Sequence, residues 1–237
     1  MYVERGSRVA GAVVWSREAA HGGGEARVLP DGCMDLLLWD GEPFIAGPDT
    51  RAHLVTDRRG LRITGLRLPP GTGPRVFGVR AHELRDQRVP LGAVWAAPAV
   101  RELMDRAGGA RDPGAVLEEV AALRLAEERA VAKDPHGVPV VEEIVAALRA
   151  GASVAATARR AGLSERQLHR RCLDAFGYGA KTLARVLRMR GALRLARDRT
   201  PLSETAARAG YADQAHLARE IKALAGVPMT ELIRPSS

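Results

Sequence analysis

The stretch VAATARRAGLSERQLHRRCLDAFGYGAK, from Val154 to Lys181, is answered later in the chain by LSETAARAGYADQAHLAREIKALAGVPMTEL, from Leu202 to Leu232. Ala161-Gly162 aligns with Ala209-Gly210, Leu168 with Leu217, Cys172 with Ile221 and Gly177 with Gly226, with one extra residue in the second turn. A recurring motif fixes architecture before weaker signals are weighed. Each copy opens with a short predicted helix, Ser153 to Ala161 and Ser203 to Ala209, whose small residues (Ala155, Ala158; Ala206, Ala207) let a second helix cross closely. Gly162 and Gly210 supply the left-handed backbone that a sharp turn requires. Ser164 and Asp213 are suited to cap the free amides of the next helix. Leu168, Cys172 and Phe176 recur at i, i+4 and i+8, and Leu217, Ile221, Leu224 and Ala225 mark the same kind of buried stripe. The pattern is a helix-turn-helix, present twice.

The faces opposite those stripes carry Arg166, His169 and Arg170 in the first copy and Gln214, Ala215, Ala218 and Arg219 in the second. A recognition helix enters the major groove and reads bases from its N-terminal half, where Arg pairs with guanine and Gln with adenine. On one helix alone, such arginines read equally well as a solvated face; the repeat shifts the balance to DNA. These residues resemble the DNA-binding domain of the AraC/XylS family of bacterial regulators. The resemblance is carried by Ala161-Gly162-Leu163-Ser164, Leu168-x-Arg170 and Phe176-Gly177, then by Ala209-Gly210-Tyr211-x-Asp213-Gln214, Leu217-x-Arg219 and Gly226-Val227-Pro228. It covers roughly residues 135 to 234 and implies that the two exposed sets face successive grooves. The chain departs from the family where Leu217, Ile221 and Ala225 replace frequent aromatics. Glu220 puts an acid in the second recognition helix, which is expected to weaken phosphate contact or to reject some bases, so base preference does not carry over.

A long helix, about Lys181 to Arg197, is expected to join the copies, with Leu183, Val186, Leu187, Leu193 and Leu195 as its apolar positions and Pro201 opening the next unit. Its length of about 25 Å suits two helices set in grooves about 34 Å apart along the duplex. Arg185, Arg188, Arg190, Arg194 and Arg197 form its outer face, some to touch phosphate and most to be solvated.

Charge agrees with this layout. The chain has 237 residues and a formal net charge of +8. From Asp134 onward 17 basic residues stand against 10 acidic, and before it 19 against 18, so the excess lies with the repeats, as a polyanion-binding domain requires. Two cysteines, Cys33 and Cys172, make no disulfide framework, and no Cys/His pairs stand at zinc-ligand spacing. No segment is apolar enough to span a membrane and no signal core is apparent, so the expected location is the bacterial cytoplasm, at the nucleoid.

Residues 1 to 133 read as a sensor or dimerisation domain, β-rich to about 70 and then helical, ahead of a DNA-binding domain over 134–237. The latter holds helix-turn-helix units at 153–177 and 203–226, joined by the helix at 181–197. The fold class is α+β: a small antiparallel β domain with helices, then an all-α domain. Predicted strands are Val9–Trp15, Ala26–Leu29, Asp35–Trp39, Phe44–Ala46, His53–Thr56 and Leu61–Leu68. HELRDQRVPL is loop-rich, helices are expected over Pro98–Ala107 and Pro113–Ala132, and Lys133–Pro139 reads as a linker. The segments PDGCMDLLLWDG, AGPDT, GLRLPPGTG and LRDQRVPL resemble the sensor half of one subgroup of these regulators, which has no assigned ligand. Trp15, Trp39, Phe44, Phe77 and Trp95 are expected in the core, two or three of them available to line a pocket. The helix carrying Val116, Leu117, Val120, Leu123 and Glu127 either packs internally, the simpler assumption, or pairs between chains.

Cys33 precedes an apolar strand in a turn-like setting. It reads as a reactive thiol if nearby Arg or a helix end lowers its pKa, and otherwise as a small buried hydrophobe. Asp31 and Arg67 are its polar companions in a candidate effector pocket, while a metal site from His21, His53, His82 and Cys33 matches no standard spacing. The leading reading is a sequence-specific, non-enzymatic regulator without cofactor or metal. Its expected partners are double-stranded DNA, a small-molecule effector, a second copy of the chain and, for an activator, RNA polymerase. The alternatives are a thiol acceptor using Cys33, which lacks a neighbouring His/Glu relay, and a charge-driven DNA coat.

Overall fold

In a computed structural model, residues 1–19, 24–56, 58–131 and 137–233 are described. The first half holds eight strands: β1 (Tyr2–Gly6), β2 (Val13–Glu18), β3 (Glu25–Val28), β4 (Met34–Trp39), β5 (Glu42–Ala46), β6 (His53–Thr56), β7 (Arg62–Leu68) and β8 (Arg88–Pro90). Six form one antiparallel sheet in the order β1-β2-β7-β4-β5-β8, and β3 pairs with β6 in a separate two-stranded ribbon. α1 (Gly73–Phe77) and a 3-10 turn at Ala81–Leu84 lie between β7 and β8; a second 3-10 turn at Leu91–Ala93, then α2 (Ala97–Gly108) and α3 (Pro113–Val131), follow β8.

The central strands are covered on both faces. Met34, Leu36 and Leu38 of β4, with Val14, Ile45, Leu66 and Leu68, pack under Phe77, Leu103, Leu117 and Ala121 of the helices. Leu37 and Ile63 point the other way, with Leu61 and Val55. Burial on both sides explains why Leu36-Leu37-Leu38 runs without the polar alternation of a half-buried strand.

Several sequence expectations are corrected by the structure. β2 begins at Val13, because Val9 to Ala12 form a turn in which Ala12 N–H donates to the Val9 carbonyl. β1 is absent from the predicted strands since all five residues of YVERG are exposed and carry no buried alternation. β8 lies inside the segment read as loop, being three residues long and ending in Pro90. Phe77 and Trp95 are core, while Trp15, Trp39 and Phe44 are only half-buried. The helix at Pro113 packs internally, but Leu123 is exposed. Glu118, on the same helix, is 2% exposed, accepts the Arg8 N–H at 2.8 Å and pairs with Arg5 at 2.9 Å.

The C-terminal part is all helix: α4 (Gly137–Arg149), α5 (Val154–Arg160), α6 (Glu165–Phe176), α7 (Ala180–Arg197), α8 (Leu202–Arg208), α9 (Gln214–Ala225) and α10 (Met229–Leu232). The fold is therefore α+β, with an antiparallel sheet first and a helical half after it. α4 begins at Gly137, so the expected linker already turns helical by Pro139; its first residues, 133–136, lie outside the described residues, as does His21. One core, built from Leu168, Cys172, Phe176, Leu183, Val186, Leu193, Leu217 and Ile221 among others, runs continuously through both helix-turn-helix units. Met189, Ala192 and Ala196 add a buried face to α7 that its leucines alone did not reveal. No described helix is long and apolar enough to cross a membrane.

Close approach fixes Gly47 at the end of β5. A Cβ there would stand 1.7 Å from the Leu84 carbonyl oxygen. Gly47→Ala is expected to destabilise the protein by about 3 kcal/mol, seen as a lower urea midpoint at unchanged slope.

Candidate nucleic-acid interface and interdomain cleft

Both recognition helices are built alike. Ser164 Oγ accepts the Gln167 N–H at 3.3 Å while the Gln167 side-chain Oε1 accepts the Ser164 N–H at 2.8 Å, closing a capping box at the start of α6. At α9, Asp213 Oδ1 accepts the His216 N–H at 2.6 Å. Gly177 and Gly226 end the two helices with φ of 80° and 76°. Each N–H donates back into its own helix, to the carbonyls of Leu173 and Lys222. The preceding helices, α5 and α8, hold a matched pair that sequence reasoning missed. Thr157 and Thr205 are fully buried, and their hydroxyls donate to the Ser153 and Thr200 carbonyls at 2.9 and 3.2 Å. Their alignment in the repeat was the available signal.

Leu168, Cys172 and Phe176 are buried, as are Leu217, Ile221, Leu224 and Ala225. Arg166, His169 and Arg170 are exposed on α6, and Gln214, Ala215, Ala218 and Arg219 are exposed on α9. All seven lie in the first two turns of their helices, where a groove-entering helix meets bases.

Glu220 does not share that face. Its carboxylate accepts from Arg185 Nε and Nη2 of α7 at 2.7 and 3.1 Å. The paired guanidinium holds it below the usual carboxylate range. The expectation that Glu220 repels phosphate is thus corrected: it is a cross-link between linker helix and recognition helix. Arg185 is engaged by the same contact. Arg188 stands 5.2 Å over the Tyr211 ring and donates to the Gly210 carbonyl at 3.2 Å, which leaves Arg190, Arg194 and Arg197 as the exposed arginines of α7.

Arg67, more than thirty residues on in sequence, meets the Asp31–Cys33 turn at one side of the sheet. Arg67 Nε lies 3.4 Å from Asp31 and 3.8 Å from Asp35, and Nη1 donates to Glu4 at 3.1 Å. Trp15 Nε1 donates to Asp35 at 2.7 Å, and Asp31 accepts the Cys33 N–H at 2.9 Å. Asp31, Cys33 and Arg67, together with Glu4, form one wall of a cleft of about 730 Å³. Arg149, Arg188, Arg190, Arg194 and Arg208, from the helical half, line it as well. A second cleft, of about 820 Å³, lies between α1, α3, α4 and α6, with Val76, Val79, Val138 and Val141 in its lining. The Tyr178 hydroxyl, just past α6, is buried and has no hydrogen-bond partner among the described residues.

The setting of Cys33 opposes a thiolate. Burial pushes the thiol well up, and the Asp31 and Asp35 carboxylates push it further. Cys172 is buried core, its thiol raised by burial to about 12. Among the described residues, no three His, Cys, Asp or Glu side chains converge as metal ligands. His82 stands 3.5 Å from Asp174, and burial, with Arg88 nearby, lowers the His53 imidazole from its ordinary value.

Residues 157–234 match the family model of a helix-turn-helix domain, and residues 12–90 match that of a domain of unknown function, DUF6597. The C-terminal part of the chain is an AraC-type helix-turn-helix domain. The chain is accordingly a DNA-binding transcription regulator that carries DUF6597 ahead of its reading domain. Its fold is shared with ToxT from Vibrio cholerae, to which it is 8% identical, with a TM-score of 0.51 over 94% of this chain and 96% of that one. An apo structure of a ToxT point variant gives 10% identity and 0.50 over 96% and 98%, and a ToxT structure with an unsaturated fatty acid bound gives 9% and 0.50 over 97% and 96%. At these identities the likeness concerns the fold. No curated protein matches the chain.

Two outcomes follow from the charged wall. Native Cys33 should be alkylated by iodoacetamide at pH 7.5 more slowly than free cysteine, read by intact mass; faster reaction would restore the thiol-sensor reading. Burial lifts Asp35 to about 6, against an ordinary value of 3.8. Its protonated form is therefore favoured by folding, and that stability is fully present below about pH 4 and lost as pH rises through 6. Asp35→Asn should gain on the wild type by up to about 3 kcal/mol between pH 4 and 7.5 in urea unfolding, whereas a constant difference across that range would refute the assignment.

Proposed function

We propose that the protein binds specific duplex DNA with α6 and α9 in successive major grooves. Arg166, His169 and Arg170 read one box, and Gln214, Ala215, Ala218 and Arg219 read the next. The observation that carries this reading is the matched construction of the two helices: each is capped at its start and buried along one stripe, and each is bare over the first two turns of the other side. The charge excess of residues 134–237 supplies the phosphate attraction. Two units dividing near residues 133 and 134, a sensor unit and a reading unit, accord with the separate family matches on either side.

The sensor half modulates that binding through the cleft that holds Asp31, Cys33 and Arg67. Five arginines on one side and a carboxylate-rich wall on the other suit a small molecule with an anionic group. ToxT, which shares the fold, has been crystallised with a fatty acid. A ligand acts by preferring one of two arrangements of the halves, and by no more than that difference in affinity. A homodimer, and contact with RNA polymerase for an activator, belong to the same reading, as does a place at the bacterial nucleoid.

Selection of duplexes from random DNA at physiological salt tests the core of the proposal. Two short boxes about one helical turn apart should emerge. On that site Arg170→Ala and Arg219→Ala should each cost about 1–3 kcal/mol, with relaxed preference at one position. Binding without enrichment, falling steeply with salt, would favour the charge-driven coat instead.

A further inference from the structure

Gly177 and Gly226 hold the same place in the two repeats, and the sheet half grips the chain at both. At the first, Arg85 Nη1 donates to the Gly177 carbonyl at 3.3 Å, and a Cβ on Gly177 would stand 2.6 Å from Pro48 Cγ. At the second, Arg27 Nη1 donates to the Ala225 carbonyl at 2.9 Å, and the Ala52 N–H donates to the Leu224 carbonyl at 2.7 Å. The end of a helix carries unpaired carbonyls and a partial negative charge, so a guanidinium or a free N–H is the complement each site needs.

Pro48 and Ala52 belong to one loop, between β5 and β6. Asp86 accepts the Thr50 N–H at 2.7 Å and its hydroxyl at 2.9 Å, and donates its own N–H to the Pro48 carbonyl at 3.1 Å. Arg88 makes two bonds of 2.6 Å to Asp49, which is itself buried. A single braced loop therefore spans from the end of one recognition helix to the end of the other. The covalent route between those helices runs through α7, the turn at Asp198–Pro201, where Arg199 has a φ of 61°, and α8. α7 also packs between the two units in one core and is tied to α9 by Arg185 and Glu220; the loop adds a second support, at the C-terminal ends of both recognition helices.

We infer that the loop Gly47–Ala52, with Arg27 and Arg85, is a strut that sets the separation and angle of the two recognition helices, and so the spacing between DNA boxes that the protein accepts. Arg27 and Arg85 are positioning residues. The strut holds the helices at their C-terminal ends, so it leaves the exposed N-terminal turns uncovered. This rests on the two-headed reading proposed above.

The test uses full-length protein and duplexes carrying the two selected boxes with the gap lengthened or shortened by one and two base pairs, plus duplexes with one box. Affinities are measured by fluorescence anisotropy at fixed salt for wild type, Arg27→Ala, Arg27→Lys and Asp86→Gly. The last keeps the left-handed backbone of Asp86 (φ 58°) but deletes the carboxylate that braces Thr50. Arg27→Ala and Asp86→Gly should lose about fivefold on the best gap, less on the altered gaps, and nothing on one box, while Arg27→Lys, which keeps a cation and a donor, should recover most of the preference. Asp86→Gly removes a negative charge, so charge alone would tighten its binding, the opposite of the expected loss. An unchanged gap preference in both Arg27→Ala and Asp86→Gly would overturn the strut and leave the two-headed reading intact. So would an equal loss on single-box and two-box DNA. A wild type indifferent to the gap would overturn the two-headed reading, and the strut with it.

Discussion

A recognition helix of twelve residues has to be held entirely from one side, because the other side must stay bare. α6 and α9 meet this constraint with side chains spaced at three and four residues, which enter a core shared with α7. Such a short helix is too brief to be stable alone in water, so the packing of that stripe, rather than intrinsic propensity, keeps each helix formed. Caps at both ends complete the arrangement by pairing amides and carbonyls that a short helix leaves open. Much else in the helical half serves this purpose: the buried threonines tie down the supporting helices, and the Arg185–Glu220 pair joins α9 to α7.

The two halves meet through backbone hydrogen bonds, a charged cleft and scattered apolar contacts such as Leu29 against the helical core, and not through one shared apolar cluster. The sheet half and the helical half each keep their own buried cluster. Interfaces of this composition are of the kind that shifts between arrangements. The Arg67 cluster adds a feature of its own. Several carboxylates surround one guanidinium on a partly buried surface, so the local balance is negative, and it faces the arginines of the helical half across an open cleft. Charges of opposite sign separated in this way create a field in which a bound ion has a strong preference for one orientation.

The helical half was legible because its constraints are local. A glycine that must be left-handed, a cap and a stripe at fixed spacing all fall within one short repeat, and Gly162, Ser164 and Leu168 carry them one by one. The role of Glu220 was not legible because its partner, Arg185, lies 35 residues away on another helix. Only the packing of α7 against α9 decides which side the acid faces. In the sheet half, strands with buried alternation were readable, whereas β1 owes its place to pairing with β2 and nothing to its own pattern. Asp31 and Cys33 are near neighbours joined by a local turn; that Arg67 reaches Asp31 is a product of strand register, in which Arg67 sits opposite Asp35 and Val13.

Since the stripe, the caps and the cross-link to α7 all lie off the exposed row, the side chains at Gln214, Ala215, Ala218 and Arg219 bear none of the weight of the fold. Surface positions of this kind tolerate exchange at a cost near zero. Two of the four are alanine, the smallest side chain that a helix accepts without penalty. The row is in effect a blank line on a finished page: lineages descended from such a protein can rewrite what α9 touches, one residue at a time, while inheriting the same scaffold unaltered.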